Sequence, residues 1–564
     1  MKNPTKVIIC GGGIGGLTTA HELAKRGISS VIYERNALLG GLARSTYLHR
    51  PEGTYPVEYS WRVYGTHYKN ILRLFKEIPL RKDPNRCVYD NLVKIKTFLF
   101  PRKSGNAYLL PKEKGSEPLI QHFTWKDKWQ ILNKILFCVT ISEKRMNQMD
   151  DLTWSDYCSD LSDEARKYTV RIWGPVLGMD PTYMSFPVVA RMMKVFLGGY
   201  TGATGGLWVM NKPTNDGWFD EWEAYLVSTG HVTIKREHEI IEFEGDEKNL
   251  SGIKAKNLKT GEVIHDVADY VVCALSVETV SELVRKNKHL SKQVDLARIP
   301  RLAKTCRQVQ LSVQLFINDT FVYPTKEKHV LYLPDTPWAL IIEPEALIWD
   351  KTYSSDDRVK SVLSVGICQT DVKGTVHGKP FISCTPEEIF NEVIDQMSTS
   401  YHVSIPMGDG TPLGKEHVAL FHLWDSFTYN PQTKRTDTWE PKFSNNAGSF
   451  QDQPSTTTSM KNLLFATGYT KTRRFIYSME SATEAGIRCA NEVIKREGAG
   501  KKEYVYGFSH APAFFKPLVW LDAIFVRVRL PHLGSFLGGS SNILVFLYSV
   551  ILVGAIVYSI QHFF

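Results

Sequence analysis

Five glycines crowd into six positions near the start of the chain: Gly11, Gly12 and Gly13, then Ile14, then Gly15 and Gly16. None has a side chain that could react. Their chemistry is that of bare backbone, whose N–H groups can close on an anion that a Cβ would hold away. Gly11, Gly13 and Gly16 stand in G-x-G-x-x-G spacing, and the first acid to follow an apolar run after them is Glu34. A diphosphate against the glycines and a ribose hydroxyl against the carboxylate are what such a set can hold.

That chemistry requires particular elements around it. Val7 to Cys10 is an apolar run long enough for a buried strand, and Leu17 to Lys25 carries apolar residues at helical spacing. Gly27 is a helix stop, and Val31 and Ile32 begin a second strand ending at Glu34, with Arg35 beside it. Strand, glycine turn, helix, strand and acid is the order a dinucleotide-binding unit needs. Gly11 permits the tight turn, Gly13 the approach of a pyrophosphate, and Gly16 the packing of helix on strand. The phosphates then meet the positive end of the helix. An acid at Glu34 favours an unphosphorylated ribose, hence FAD or NAD rather than NADP.

A second glycine pair, Gly40 and Gly41, follows, then Leu42, Ala43, Arg44 and Ser45. With this loop the chain resembles the FAD-dependent amine oxidase and phytoene desaturase superfamily, whose N-terminal pattern is G-x-G-x-x-G, an acid, then a G-G-x-x-R-like loop over the pyrophosphate and flavin. The resemblance runs over about residues 5 to 495 and implies FAD as cofactor. It gives Arg44 the family's basic position and makes Ile240 the apolar strand residue over the adenine. It matches Trp61, Arg62, Tyr64 and Gly65 in placement only, and sets Cys273 and Ala274 on a strand returning to the nucleotide sheet. Near the C-terminus, Gly468 ends a strand and Ser478, Met479, Glu480, Ser481 and Ala482 open a helix whose N–H groups would face the flavin. Two departures stand out there: the turn reads Thr467-Gly468-Tyr469 without the usual acid, and Ser481 replaces a glycine. The cofactor-binding set expected from motif and resemblance is Gly11, Gly12, Gly13, Ile14, Gly15, Gly16, Glu34, Arg35, Gly40, Gly41, Leu42, Ala43, Arg44, Ile240, Gly468, Met479 and Glu480. No catalytic residue is assigned. His67 and His238 lie near the motifs, but a lone histidine is more often structural.

The 564 residues, 43% hydrophobic, can bury a large core. The expected fold is α/β: a discontinuous Rossmann-type FAD domain over 1–84, 231–300 and 455–500, with an interleaved α+β substrate domain over 85–230 and 301–454. Aromatic and methionine stripes at helical spacing in 85–230 read first as helix core and second as the wall of a pocket for a long apolar substrate. Asp150 and Asp151 read as helix-capping charges. The net charge of +9 is diffuse, with no basic block interleaved with aromatics, which excludes a nucleic-acid partner and fits an anionic lipid surface. Nine scattered cysteines have no metal-ligand spacing and read as reduced thiols, and no metal is expected. No signal peptide is expected at the N-terminus.

Ile543 to Ile560 carries no charged residue, so a transmembrane tail anchor is expected over 542–561, preceded by a membrane-interface segment over 511–537 that could equally pack on the enzyme. Arg527 and Arg529 lie before the anchor and no Lys or Arg follows it, which puts the catalytic part on the cytosolic side. The leading function is then a membrane-associated oxidoreductase that desaturates or isomerises an isoprenoid- or carotenoid-like lipid by hydride transfer to flavin, its electron acceptor open. An amine or protoporphyrinogen oxidase using dioxygen, and a non-catalytic flavin-binding membrane protein, are the alternatives.

Overall fold

A computed structural model of the chain describes residues 5–60, 62–95, 98–102, 105–108, 117–118, 122–200, 207–322, 328, 330–399, 407–507 and 515–532. Its organising layer is a five-stranded parallel sheet. The order is Val232–Lys235, Ser30–Tyr33, Val7–Cys10, Tyr270–Cys273, Leu463–Phe465, so one sheet gathers strands from three distant parts of the sequence. The central strand Val7–Cys10 is wholly buried. Val7 and Ile9 enter one apolar cluster and Ile8 and Cys10 another, the period-two alternation of a strand covered on both faces. Helices Ile14–Ala24 and Met479–Glu497 cover the first face, and helices Val277–Lys286 and Ile299–Thr305 the second.

A second core lies apart from this sheet. Its eight-stranded mixed sheet carries the antiparallel pairing of Leu311–Ile317 with Ser361–Ile367 and with Val418–Leu423. Helices Trp125–Thr140 and Phe186–Tyr200 belong to this core, with Phe186, Val188 and Val189 buried in it.

The expected domain edge at residue 230 shifts. Met210, Trp218, Phe219, Trp222 and Leu226 pack into the nucleotide-domain cluster, where Val88 joins them. Trp218 stacks on Phe219 with ring centroids 4.2 Å apart, and Trp222 Nε1 donates to Nδ1 of His21 at 3.1 Å. These aromatics are core of the cluster that covers the parallel sheet.

Among the described residues no helix is long and apolar enough to cross a membrane. The expected anchor over 542–561 lies outside the described residues. Of the expected interface segment, helix Lys516–Arg527 packs on the protein through Phe515 and Leu518 against Leu132, Leu136 and Val139. The Asp522 carboxylate accepts from Ser142 N at 2.8 Å and Arg145 Nε at 2.7 Å. Packing therefore holds the inner face of this helix, while Trp520 stays 68% exposed on the outer one.

Candidate active site

The glycine turn is built as its spacing requires. Gly11 has φ +105°, open to glycine alone without strain, and a Cβ on Gly16 would fall 2.1 Å from Gly11 O. A Cβ on Gly15 would fall 1.8 Å from the Ala466 carbonyl. At Gly13 the nearest atom to such a Cβ is Gly41 Cα at 3.9 Å, so this position faces open space. Gly13 also caps helix Ile14–Ala24 with no side chain, leaving its first-turn N–H groups to whatever fills that space.

The two glycine loops are stapled together. Gly40 N donates to Gly12 O at 2.9 Å, and Glu34 Oε2 accepts from Gly12 N at 2.7 Å while Oε1 accepts from Asn36 N at 2.8 Å. Burial raises the Glu34 carboxyl above the ordinary carboxylate range, and these N–H groups and Arg44 oppose that.

A cleft of about 410 Å³ runs past these loops. Glu34, Arg35 and Ile240 line one part of it. Gly11, Gly13, Ile14, Gly15 and Gly40 to Ala43 line the turn, and Gly468, Met479 and Ala482 bring in the C-terminal helix. This cradle, with bare backbone at Gly13 and Gly41 and a free helix N-terminus, suits a dinucleotide carrying a flavin. Ser481 fits without its expected glycine because its hydroxyl donates to the Ile476 carbonyl and its N–H is capped by Ser478 Oγ.

Four expected residues do not line the cleft. Gly12 is turned inward, where a Cβ would meet Leu39 at 2.6 Å, and Gly16 is consumed by strand packing. Arg44 was expected over the pyrophosphate; its guanidinium instead pairs with Glu440 (Nη1–Oε1 2.7 Å, Nη2–Oε2 2.9 Å) and lies over the Trp424 ring. It clamps the glycine loop to the segment that carries Trp424 and Glu440. Glu480 is buried behind the cleft, accepting from Asn70 N and Ile71 N at 2.9 Å each and pairing with Arg474 at 2.9 Å. It caps helix Lys69–Glu77 and positions Arg474, which lines the cleft and donates to His67 O at 2.8 Å.

Several lining residues were given no role by the sequence, though His67 and Arg62 were noted for their position. His67 is pulled down to about 3 by burial and by Arg474, so its imidazole is neutral at physiological pH. Glu278 has one carboxylate oxygen without a hydrogen-bond partner. Lys442 is pulled down to about 8 by burial. Ser60 and Arg62 open onto a polar annex lined by Glu58, Glu343 and Glu345, where burial and Glu58 push Glu343 up to about 8. Cys273, adjacent to the turn, is pushed up to about 12 by burial and is an inert thiol. Trp61 lies outside the described residues, and His238 does line the cleft, its Nδ1 2.6 Å from Arg236 O.

The profile of the flavin containing amine oxidoreductases matches residues 14–494. No curated protein matches the chain. Among solved structures it is similar to cyclohexylamine oxidase from Brevibacterium oxydans IH-35A, with 15% identity and TM-score 0.58 over 88% of this chain and 100% of that one. It is also similar to a putative protoporphyrinogen oxidase from Exiguobacterium sp. 255-15, with 14% identity and TM-score 0.53 over 87% and 99%. An oxidoreductase from Methanosarcina mazei gives 15% identity and TM-score 0.55 over 86% and 99%. The chain belongs to the flavin containing amine oxidoreductase family and is an FAD-dependent oxidoreductase.

Proposed function

We propose that this member of the family acts on a largely apolar molecule that reaches the cleft from a membrane, either oxidising an isoprenoid-like chain by desaturation or isomerising it without net oxidation. When bound, the flavin supplies a hydride acceptor. The protein's part is to orient the reacting carbon and keep water out. The observation that carries this reading is the apolar part of the lining: Val63, Pro175, Val176, Leu177, Met192 and Leu207 line the cleft together. No cleft residue need act as a base if the substrate cation is conjugated. His67, neutral and buried, supplies bulk rather than charge.

Membrane association draws support from the charge-free stretch at 543–560 and from two tryptophans held outward on neighbouring helices, Trp125 at 85% and Trp520 at 68% exposure. Basic residues Lys126, Lys128, Lys516, Arg527 and Arg529 flank them in sequence, which suits an anionic leaflet with the catalytic part cytosolic.

An amine or protoporphyrinogen oxidase, as the names of two structural neighbours suggest, is the second reading. Glu278 favours it, since its unpartnered carboxylate oxygen on the cleft could meet an ammonium. Anaerobic bleaching of the flavin separates the two. Bleaching by an isoprenoid lipid extract and not by a panel of primary and secondary amines supports the first reading, and the reverse pattern replaces it.

A further inference from the structure

We propose that Lys442 forms the recognition site for a carboxylate carried by the molecule that enters the cleft, so that the ligand is an apolar body ending in a single negative charge. This rests on the apolar reading of the cleft given above and adds the ligand's polar end.

Lys442 begins the short strand Lys442–Phe443, which pairs antiparallel with Arg307–Gln308 so that Lys442 stands opposite Gln308. Its side chain lines the cleft beside Pro175, Val176 and Leu177. It is held there by the shape of the next residue on that wall. Gly178 has φ +60°, and a Cβ built on it would lie 2.0 Å from Lys442 Nζ and 3.3 Å from Gln310 Oε1. Only a bare Cα lets the ammonium take this place.

The ammonium has no carboxylate within ion-pair distance among the described residues, unlike Arg62, Arg44 and Arg474, which pair with Glu58, Glu440 and Glu480. The titratable groups that act on it are the Cys368 thiol and the Arg62 guanidinium, and the latter is a second cation. Beside it, Gln308 (7% exposed) has both amide atoms unpartnered, and Gln310 (8% exposed) has its carbonyl oxygen unpartnered. Buried polar atoms are nearly always satisfied, and a half-buried cation in an apolar wall is stabilised by a counter-charge. An incoming carboxylate gives the ammonium its counter-charge and accepts from it, and Gln308 Nε2, opposite Lys442, is an unpartnered donor beside it. One cation with neutral amides balances one negative charge, which selects a carboxylate over a phosphate.

The linkage has a definite sign. Burial without a counter-ion lowers the amine to about 8, and a bound carboxylate raises it again. Carboxylate affinity is therefore constant between the ligand's own carboxyl titration and that value, falls as pH rises through the latter, and is also lost where the ligand protonates in acid.

The test uses the full-length yellow protein in a non-ionic detergent, with decanoate, decanol and butyrate as probes and perturbation of the flavin absorbance as readout. Decanoate is expected to bind, with affinity at least tenfold weaker in Lys442→Met, near wild type in Lys442→Arg, and with decanol binding unchanged in both. Retained flavin colour in each variant reports that it has folded. Equal decanoate affinity in wild type and Lys442→Met overturns the proposal, as does failure of all three probes to bind the wild type. Butyrate binding that depends on Lys442, with neither ten-carbon probe bound, upholds the lysine site and overturns the apolar reading instead.

Discussion

Gly15 and Gly486, from opposite ends of the sequence, touch: a Cβ on Gly486 would sit 2.5 Å from the Gly15 carbonyl oxygen, and Thr19 Oγ1 donates to Gly486 O at 3.2 Å. The helix that starts at the first glycine turn and the helix that closes the fold thus approach at backbone distance. Both helices reach one cleft with nothing larger than hydrogen on either glycine at this crossing.

Gly486→Leu should therefore pry the helices apart. Overpacking of this kind costs about 1–3 kcal/mol. The expected result is a lower melting temperature together with weaker FAD retention, read by thermal scanning and by the flavin-to-protein absorbance ratio.

Gly13 should behave differently, since its missing Cβ faces open space with Gly41 Cα 3.9 Å away. Gly13→Val is expected to fold with near-normal circular dichroism and yet purify colourless, because the added methyls occupy the phosphate's place. Gly15→Val, which would collide with Ala466, should instead lose the fold.

Glu480→Ala removes the partner of Arg474 and the acceptor of two backbone N–H groups. Breaking a buried pair costs about 3–5 kcal/mol. The loss should appear as a reduced denaturant midpoint, and Glu480→Gln, which keeps an acceptor but not the charge, should recover part of it.

Acid should loosen the segment after the last nucleotide-domain helix. Arg26, Arg73 and Lys25 hold the Glu503 carboxyl down at about 2 against burial. A carboxyl depressed in the folded state stabilises above its unfolded value of about 4.5 and loses that contribution as pH falls toward the folded one. Hydrogen-exchange protection over 501–507, taken relative to the intrinsic rate at each pH, should fall below about pH 4.5, the unfolded carboxyl value, and Glu503→Gln should show low protection already at neutral pH.

Deleting residues from 541 onward should release the protein from membranes while leaving it yellow. Replacing Trp125 and Trp520 by Ser in the shortened chain should abolish any remaining sedimentation with anionic vesicles. Unchanged pelleting of both forms would contradict the membrane reading.

The glycine turn was legible because backbone chemistry writes itself into composition: only glycine tolerates the φ of Gly11 and the contact at Gly16. The return of Tyr270–Cys273 and Leu463–Phe465 to one sheet was legible through resemblance and apolar runs. Side-chain destinations were not. Arg44 and Glu480 have the right types at the right positions, but their partners, Glu440 and Arg474, are set by tertiary contacts that no local spacing encodes. Trp218 and Trp222 fell inside the 85–230 segment by position alone, and nothing in their local spacing says that they pack under the parallel sheet. Lys442 sits on a two-residue strand too short for any pattern, and its isolation is a property of the folded cleft.

The central claim is that glycine-lined helix ends from both termini form one cradle for one flavin dinucleotide. Titrating cofactor-stripped protein with FAD, and following the quenching of flavin fluorescence, tests it most directly. Saturable quenching at one FAD per chain, lost in Gly13→Val, is the expected result. Folded wild-type protein that leaves FAD fluorescence unchanged would contradict it.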